Sequence, residues 1–412
     1  MAVDGVNLRR ILERLAPKTQ EFLVEMIRHP STHGNEGSVQ ECAARTWEAA
    51  GFAVDRHPIP ESIRDDPEYT KPEKDASFEG RENLVVRVSG KKSGRSVIFN
   101  AHTDVIPSGD WREAYEPRVE GDAVYGRGAC DDKGGVAALY LAALAMREVG
   151  LPSRGEIIHQ IVIDEEVGGN GSLALIREGI RADGVVVLEA TELAMHPANR
   201  GALWFRFDFE GKSCHMGRKY DGINAIDLAC EAKAILYEYE KELDRDQERQ
   251  PLFAGYKHPA QVNIGMLRGG DFPSQVAGWA VMEGGVGFLP NRPMEQVKMD
   301  LARYLEERAS KELRARHRLT FPKLHNDSFE TPVEHPLVQA FHAATLETQA
   351  RKDITGWPVS CDARLFAKVG GMATVVFGPG SIQDAHSARE GVRMSEIVVA
   401  AETLVRFVER WC

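Results

Sequence analysis

Val97-Ile-Phe-Asn-Ala-His-Thr-Asp104 is a short apolar run that ends in a histidine and an aspartate. The same grammar recurs along the chain. Ile161-Val-Ile163 runs into Asp164-Glu165-Glu166, Val185-Val-Val-Leu188 into Glu189, and Thr374-Val-Val-Phe377 into Gly-Pro-Gly and then Asp384-Ala385-His386. Apolar runs without alternation are what parallel strands buried on both faces look like. Strands are expected at 83–88, 96–100, 156–164, 184–188 and 374–378, with helices between them at 134–148, 171–179 and 334–350. Apolar spacing also predicts helices over 8–28 and 36–50. The pattern is that of an α/β fold: a mixed, mostly parallel sheet with helices on both faces.

The stretch 199–328 changes character. Leu203-Trp-Phe-Arg-Phe-Asp-Phe-Glu210 alternates like a strand with one exposed face. A helix is expected at 223–243, strands near 260–268 and 279–288, a helix at 293–310 and a strand at 317–322. This β-α-β-β-α-β order is a split βαβ unit, an α+β domain inserted into the first. The domain expectation is therefore 1–198 with 329–412, interrupted by 199–328. Residues 55–82, with Pro58, Pro60, Pro67 and Pro72 among many charges, read as a long surface loop, the kind that often borders a site.

Composition narrows the function. The 412 residues carry 51 Lys and Arg against 62 Asp and Glu, a formal charge of −11. That balance argues against a nucleic-acid or membrane-surface partner, because phosphate binding needs a basic excess. The longest apolar run, Val136 to Met146, is too short to cross a bilayer. The charged N-terminus lacks a signal-peptide core, and six scattered cysteines without a CxxC pair fit reduced thiols, so a cytoplasmic location is expected.

Open parallel sheets place ligands outside the carboxyl ends of their strands. His102, Asp131, Glu165 or Glu166, Glu189 and His386 are therefore expected to converge. So many carboxylates together need a positive charge, since they would otherwise raise one another's pKa. Imidazole and carboxylate donors without thiolate suit zinc or a similar divalent ion. Five ligands exceed what one tetrahedral ion takes, which favours two metals sharing a bridging carboxylate. Asp104 is placed to orient the His102 ring. Other chemistries fit less well. Gly126-Arg-Gly128 lacks the third glycine of a dinucleotide loop and has Asp131 in its place, which would repel a pyrophosphate. No GxSxG elbow occurs, and Cys361 has no evident partner in sequence.

These motifs together resemble the co-catalytic metallopeptidases and deacylases that include acetylornithine deacetylase, succinyl-diaminopimelate desuccinylase, aminoacylase and glutamate carboxypeptidases. The resemblance rests on His102-Thr-Asp104, Gly126-Arg-Gly-Ala-Cys-Asp-Asp-Lys-Gly-Gly135, Asp164-Glu-Glu-Val-Gly168, Glu189 and Ala385-His386-Ser387. It implies a zinc-binding catalytic domain and a lid domain that commonly dimerises. By the same resemblance, His102 and His386 bind different metals, Asp131 bridges them through a cis junction to Asp132, and Glu166 and Glu189 complete the shells. Glu165 is left as general base, with a metal-bridged hydroxide as nucleophile. In the lid, His215 of Gly211-Lys-Ser-Cys-His-Met-Gly217 resembles a residue that reaches a neighbouring subunit's site. Arg364 of Ser360-Cys-Asp-Ala-Arg364 resembles one that grips a substrate carboxylate. Ser274 stands where an asparagine is common, facing the leaving group or acyl moiety.

The leading expectation is a metal-dependent hydrolase of an amide-type C–N bond in a small carboxylate-bearing molecule, such as an N-acyl amino acid. Its cofactors are two divalent ions, zinc first, with cobalt or manganese also compatible. The alternatives are a dipeptidase or aminopeptidase, an aminohydrolase of an aromatic amino acid, and a non-catalytic member that binds a ligand or partner. A homodimer through the lid is expected from the resemblance. The apolar face of Leu203, Phe205, Phe207 and Phe209 gives a second motive, with packing under the lid's own helices as the alternative.

Overall fold

The computed structural model describes residues 5–72, 74–88, 93–151, 154–245, 249–322 and 325–412. The chain divides into two compact units: Met1–Ala198 with Glu330–Trp357 and Cys361–Cys412, and Asn199–Phe329 with Pro358–Ser360.

The larger unit is a mixed α/β sandwich around a nine-stranded sheet. Its centre is parallel: Ile157–Val162, Val97–His102, Gly184–Val187 and Thr374–Val376 lie side by side in that order. Each is wholly buried, which is why each reads as an uninterrupted apolar run. Glu82–Val88 departs from expectation, because it runs antiparallel to both of its neighbours, Asp55–Pro58 and Ile157–Val162. Its apolar run reports burial on two faces, not direction. The 55–82 segment is likewise more than a loop. It begins with strand Asp55–Pro58 and a short 3-10 turn at Glu61–Asp65, and Thr70 then meets the start of helix Asn170–Arg177. Thr70 N–H donates to Asn170 Oδ1 at 3.1 Å, and Asn170 Nδ2 returns a bond to the Thr70 carbonyl at 3.1 Å.

Helices Gly5–Ile27, Lys133–Glu148 and Met394–Trp411 pack on one another. The last was left unassigned by sequence, although its apolar positions Ile397, Val398, Ala401, Leu404, Val405 and Val408 follow helical spacing and are buried. Helix Lys133–Glu148 is almost wholly buried and starts under Asp132, whose carboxylate caps it by accepting from Gly135 N–H at 3.1 Å. Burial pushes Lys133 down to about 7; its ammonium donates to the carbonyls of Met26 and His29, both at 3.0 Å. Among the described residues no helix is long and apolar enough to cross a membrane.

The inserted unit carries Gly201–Glu210, Ala225–Asp244, Gln261–Gly269, Trp279–Phe288, Met294–Arg308 and His317–Thr320, with a short helix Lys311–Arg316 before the last strand. Gln261–Gly269, Trp279–Phe288, Gly201–Glu210 and His317–Thr320 are antiparallel neighbours in that order. Leu203, Phe205, Phe207 and Phe209 are buried within this unit, where helix Ala225–Asp244 packs on their strand. Burying such a side chain contributes about 1.5–3 kcal/mol each. This face is therefore satisfied internally and gives no motive for a dimer.

His159, in the central sheet, is buried with neither ring nitrogen hydrogen-bonded among the described residues; Trp47 and Phe99 lie 5.3 and 5.6 Å from its ring centre. Burial lowers its pKa from 6.5 to about 3. The unfolded chain protonates first on acidification, so stability is present above pH 6.5 and is lost as pH falls from there towards 3. His159→Phe should shrink the loss of unfolding free energy between pH 7 and pH 5 by roughly 2 kcal/mol. Urea unfolding at both pH values checks this; equal losses in the two proteins would refute it.

Candidate metal centre

The four parallel strands deliver their chemistry at one edge. His102 ends its strand, Asp164–Glu166 follow Ile157–Val162, Glu189 follows Gly184–Val187, and His386 lies on the segment after Thr374–Val376. The last two segments are stitched together: Gly378 N–H donates to Thr191 Oγ1 at 2.9 Å, and that hydroxyl donates to the Gly378 carbonyl at 3.2 Å. A Cβ at position 378 would lie 2.4 Å from the Glu189 carbonyl oxygen, so only glycine permits this approach. Asp131 arrives from a different direction, through a cis peptide to Asp132.

Two donor groups result, and Asp131 belongs to both. His102, Asp131 and Glu189 form one, Asp131, Glu166 and His386 the other, each with donor atoms within 4.8 Å of one another. Asp131 Oδ1 lies 3.2 Å from His102 Nε2, and its Oδ2 lies 3.2 Å from His386 Nε2. His386 Nε2 is also 3.2 Å from Glu166 Oε1. The groups differ in access: His102 and Glu189 are 2% and 3% exposed, whereas the His386 side chain is 48% exposed. Glu165 stands beside both groups and belongs to neither.

The electrostatics demand cations. Burial, reinforced by neighbouring carboxylates, pushes the Glu165, Glu189 and Asp132 carboxyls well above their usual range and raises Glu166 as well. Asp131 goes the other way: burial opposes ionisation, but bonds to His102 and His386 hold it low. His386 is raised to about 10 by its bonds to Asp131 and Glu166. Divalent ions relieve this crowding, and the imidazole and carboxylate donors fit zinc, cobalt or manganese. Burial and nearby carboxylates hold the Cys361 thiol well up, so it stays protonated and is a poor nucleophile.

Asp104 orients more than the His102 ring. Its carboxylate lies 3.4 Å from His102 Nδ1, whose hydrogen bond goes to the Asp104 carbonyl at 3.0 Å. The same carboxylate accepts from Glu165 N–H at 3.2 Å and Glu166 N–H at 3.0 Å. Arg364 is buried beside that turn, donating to the Gly168 carbonyl at 3.0 Å with Glu68 3.5 Å away. In the inserted unit, His215 is exposed, and its Nδ1 accepts from Gly217 N–H at 3.1 Å, which leaves Nε2 to carry the proton of the neutral ring. The Ser274 carbonyl accepts from Met216 N–H at 2.9 Å, so Ser274 borders the His215 segment.

Two features escaped sequence reasoning. Glu390 accepts from Arg127 at 2.5 Å, Gly128 N–H at 2.8 Å and Asp131 N–H at 3.4 Å, and so holds the loop that presents Asp131. Burial lifts it to about 7. His33, Glu36, Arg81 and Asp164 form a buried ionic cluster under the Glu165–Glu166 turn. Their partners are distant in sequence, so no local spacing betrays them.

The chain is similar to known proteins over most of its length. The chain is 24% identical to N-formyl-4-amino-5-aminomethyl-2-methylpyrimidine deformylase of Bacillus subtilis, over 93% of this chain and 91% of that one. It is 27% identical to acetylornithine deacetylase of Myxococcus xanthus, over 89% and 90%. A tripeptidase from Staphylococcus aureus shares the fold, with a TM-score of 0.75 at 18% identity over 96% and 98% of the two chains. The profile of Peptidase family M20/M25/M40 matches residues 98–410. The chain therefore belongs to Peptidase family M20/M25/M40 and is a hydrolase of amide-type C–N bonds.

Proposed function

We propose that the protein removes an acyl group from a small carboxylate-bearing amide such as an N-acyl amino acid, with two divalent ions as cofactors. The observation that carries this reading is the sharing of Asp131 between two donor groups while Glu165 stands outside both. His102, Asp131 and Glu189 would hold one ion, and Asp131, Glu166 and His386 the other. Bound there, the ions supply a water of lowered pKa and polarise the substrate carbonyl. Glu165 takes the proton of the attacking water and returns it to the leaving nitrogen, a task suited to a carboxyl whose pKa is raised. The Nε2–H of His215 is free of the Gly217 bond and would be the donor for the developing oxyanion in a neighbouring subunit's site. Arg364, with the Glu68 carboxylate 3.5 Å from its Nη1, is the group for a substrate carboxylate. Ser274, whose carbonyl is bonded to the His215 segment, is the residue we assign to the leaving-group or acyl side.

The acyl-removing relatives favour a deacylase, and the tripeptidase keeps a peptidase as the second reading. Released amine, measured across N-formyl and N-acetyl amino acids, dipeptides and aryl amines, separates the two. Chelation should abolish turnover, and zinc, cobalt or manganese should restore it to different extents. Glu165→Gln should lower kcat by about 10²–10⁴-fold with metal content unchanged. Full activity in that variant would overturn the reading.

A homodimer through the inserted unit accompanies this proposal. Gln261–Gly269 is an edge strand of its sheet, with Met266 and Leu267 each 42% exposed. Unpaired edges invite pairing with another chain. Sedimentation at micromolar concentration should give a dimer; a clean monomer would count against His215 serving a partner's site. All six cysteines are free, which supports a reducing, cytoplasmic setting.

A further inference from the structure

The turn that carries Glu165 and Glu166 is held from two sides. Asp104 grips it from the His102 side through the two amide N–H groups. The other grip is on Asp164, which stands at φ +66 immediately before Glu165 and is fully buried. Arg81 Nη2 donates to Asp164 Oδ1. Its guanidinium also forks onto Glu36, Nε to Oε2 at 2.8 Å and Nη2 to Oε1 at 2.6 Å. His33 Nδ1 lies 2.8 Å from the same Asp164 oxygen. Glu36 is fixed in turn by Gly34 N–H at 3.0 Å, and Phe78 lies 5.0 Å under the guanidinium. His33, Glu36 and Asp164 alone would make a third donor group of the metal-binding kind. Arg81 already supplies the positive charge there, so the cluster reads as a clamp and not as a cation site.

We propose that Arg81 is a positioning residue that acts through Asp164 to hold the Glu165–Glu166 turn in register with Asp131 and His386. Asp164 occupies a left-handed backbone conformation, which aspartate adopts only at a cost. A planar guanidinium that spans two carboxylates fixes that geometry in a way an ammonium cannot. The clamp therefore governs the donor group of Asp131, Glu166 and His386, and leaves the group of His102, Asp131 and Glu189 on its own supports. This rests on the metal-centre reading above, and its test reads cation binding as well as turnover.

The experiment compares wild type with Arg81→Lys and Asp164→Asn. Asparagine tolerates the left-handed conformation, so the second variant removes the ionic grip with least disturbance to the backbone. Each metal-free protein is titrated with cobalt(II) and followed by visible absorption, with a thermal melt to confirm folding. The expected result is one cobalt step unchanged and the other weakened about 10–100-fold. A kcat loss of similar size should appear on whichever amide the release screen finds, with KM within about twofold. Folded variants with both cobalt steps and kcat unaltered overturn the proposal, whatever their melting temperatures. If Arg81→Lys does not fold, Asp164→Asn decides. If wild type binds cobalt in two steps but cleaves nothing in the screen, the deacylase reading fails and the cobalt steps alone judge the clamp.

Discussion

Mutual repulsion among buried carboxylates is the constraint on which the larger unit depends. Asp131, Glu165, Glu166 and Glu189 meet at the end of the parallel strands, with Asp132 beside them. In isolation such a gathering would protonate or fly apart. Here the backbone imposes it: the central strands are buried along their whole length, so their ends cannot drift. Around that edge the chain spends polar groups on holding acids in place. Asp104 receives two amide N–H groups from the Glu165–Glu166 turn, and Glu390 receives those of Gly128 and Asp131. Asp132 caps a helix and also lies 3.4 Å from His102 N–H. The scaffold supplies position, and cations would supply the charge that position lacks.

Access divides the two donor groups. One is sealed inside the sheet edge, while the other opens through the half-exposed His386. Catalytic metal sites keep a position open for water or substrate, and the half-exposed His386 makes the second group the more accessible one. His386 itself sits at φ +58, on a segment tied back to the Glu189 strand through Thr191 and Gly378. Its exposure thus comes with a fixed backbone.

Sequence patterning carries the parallel core and the convergence of His102, Asp131, Glu189 and His386 with the Glu165–Glu166 pair, while the choice between those two glutamates comes from the family resemblance and not from spacing. Each of the strand-borne residues follows an apolar run whose meaning is local. Direction was less legible: Glu82–Val88 is as apolar as its parallel neighbours but runs the other way, because burial on two faces does not encode orientation. The alternating face of Leu203 to Phe209 showed that it must be covered, not by what; its own helix covers it. The supports of the site were out of reach. Glu390 meets Arg127 across 263 positions, and Arg81 meets Asp164 across 83. A charge buried by a distant partner looks, in sequence, like any surface charge.

The seat of Thr70 has a consequence for how this chain tolerates substitution. Thr70 and Asn170 exchange hydrogen bonds, and the Thr70 side chain fills the space where a Cβ of Gly168, at φ +111, would lie 2.4 Å away. A larger side chain at 168 would displace Thr70, and with it the backbone N–H and carbonyl that pair with the Asn170 amide. The size of residue 168 is thus tied by packing to Thr70, whereas Asn170 depends only on where the backbone of residue 70 lies.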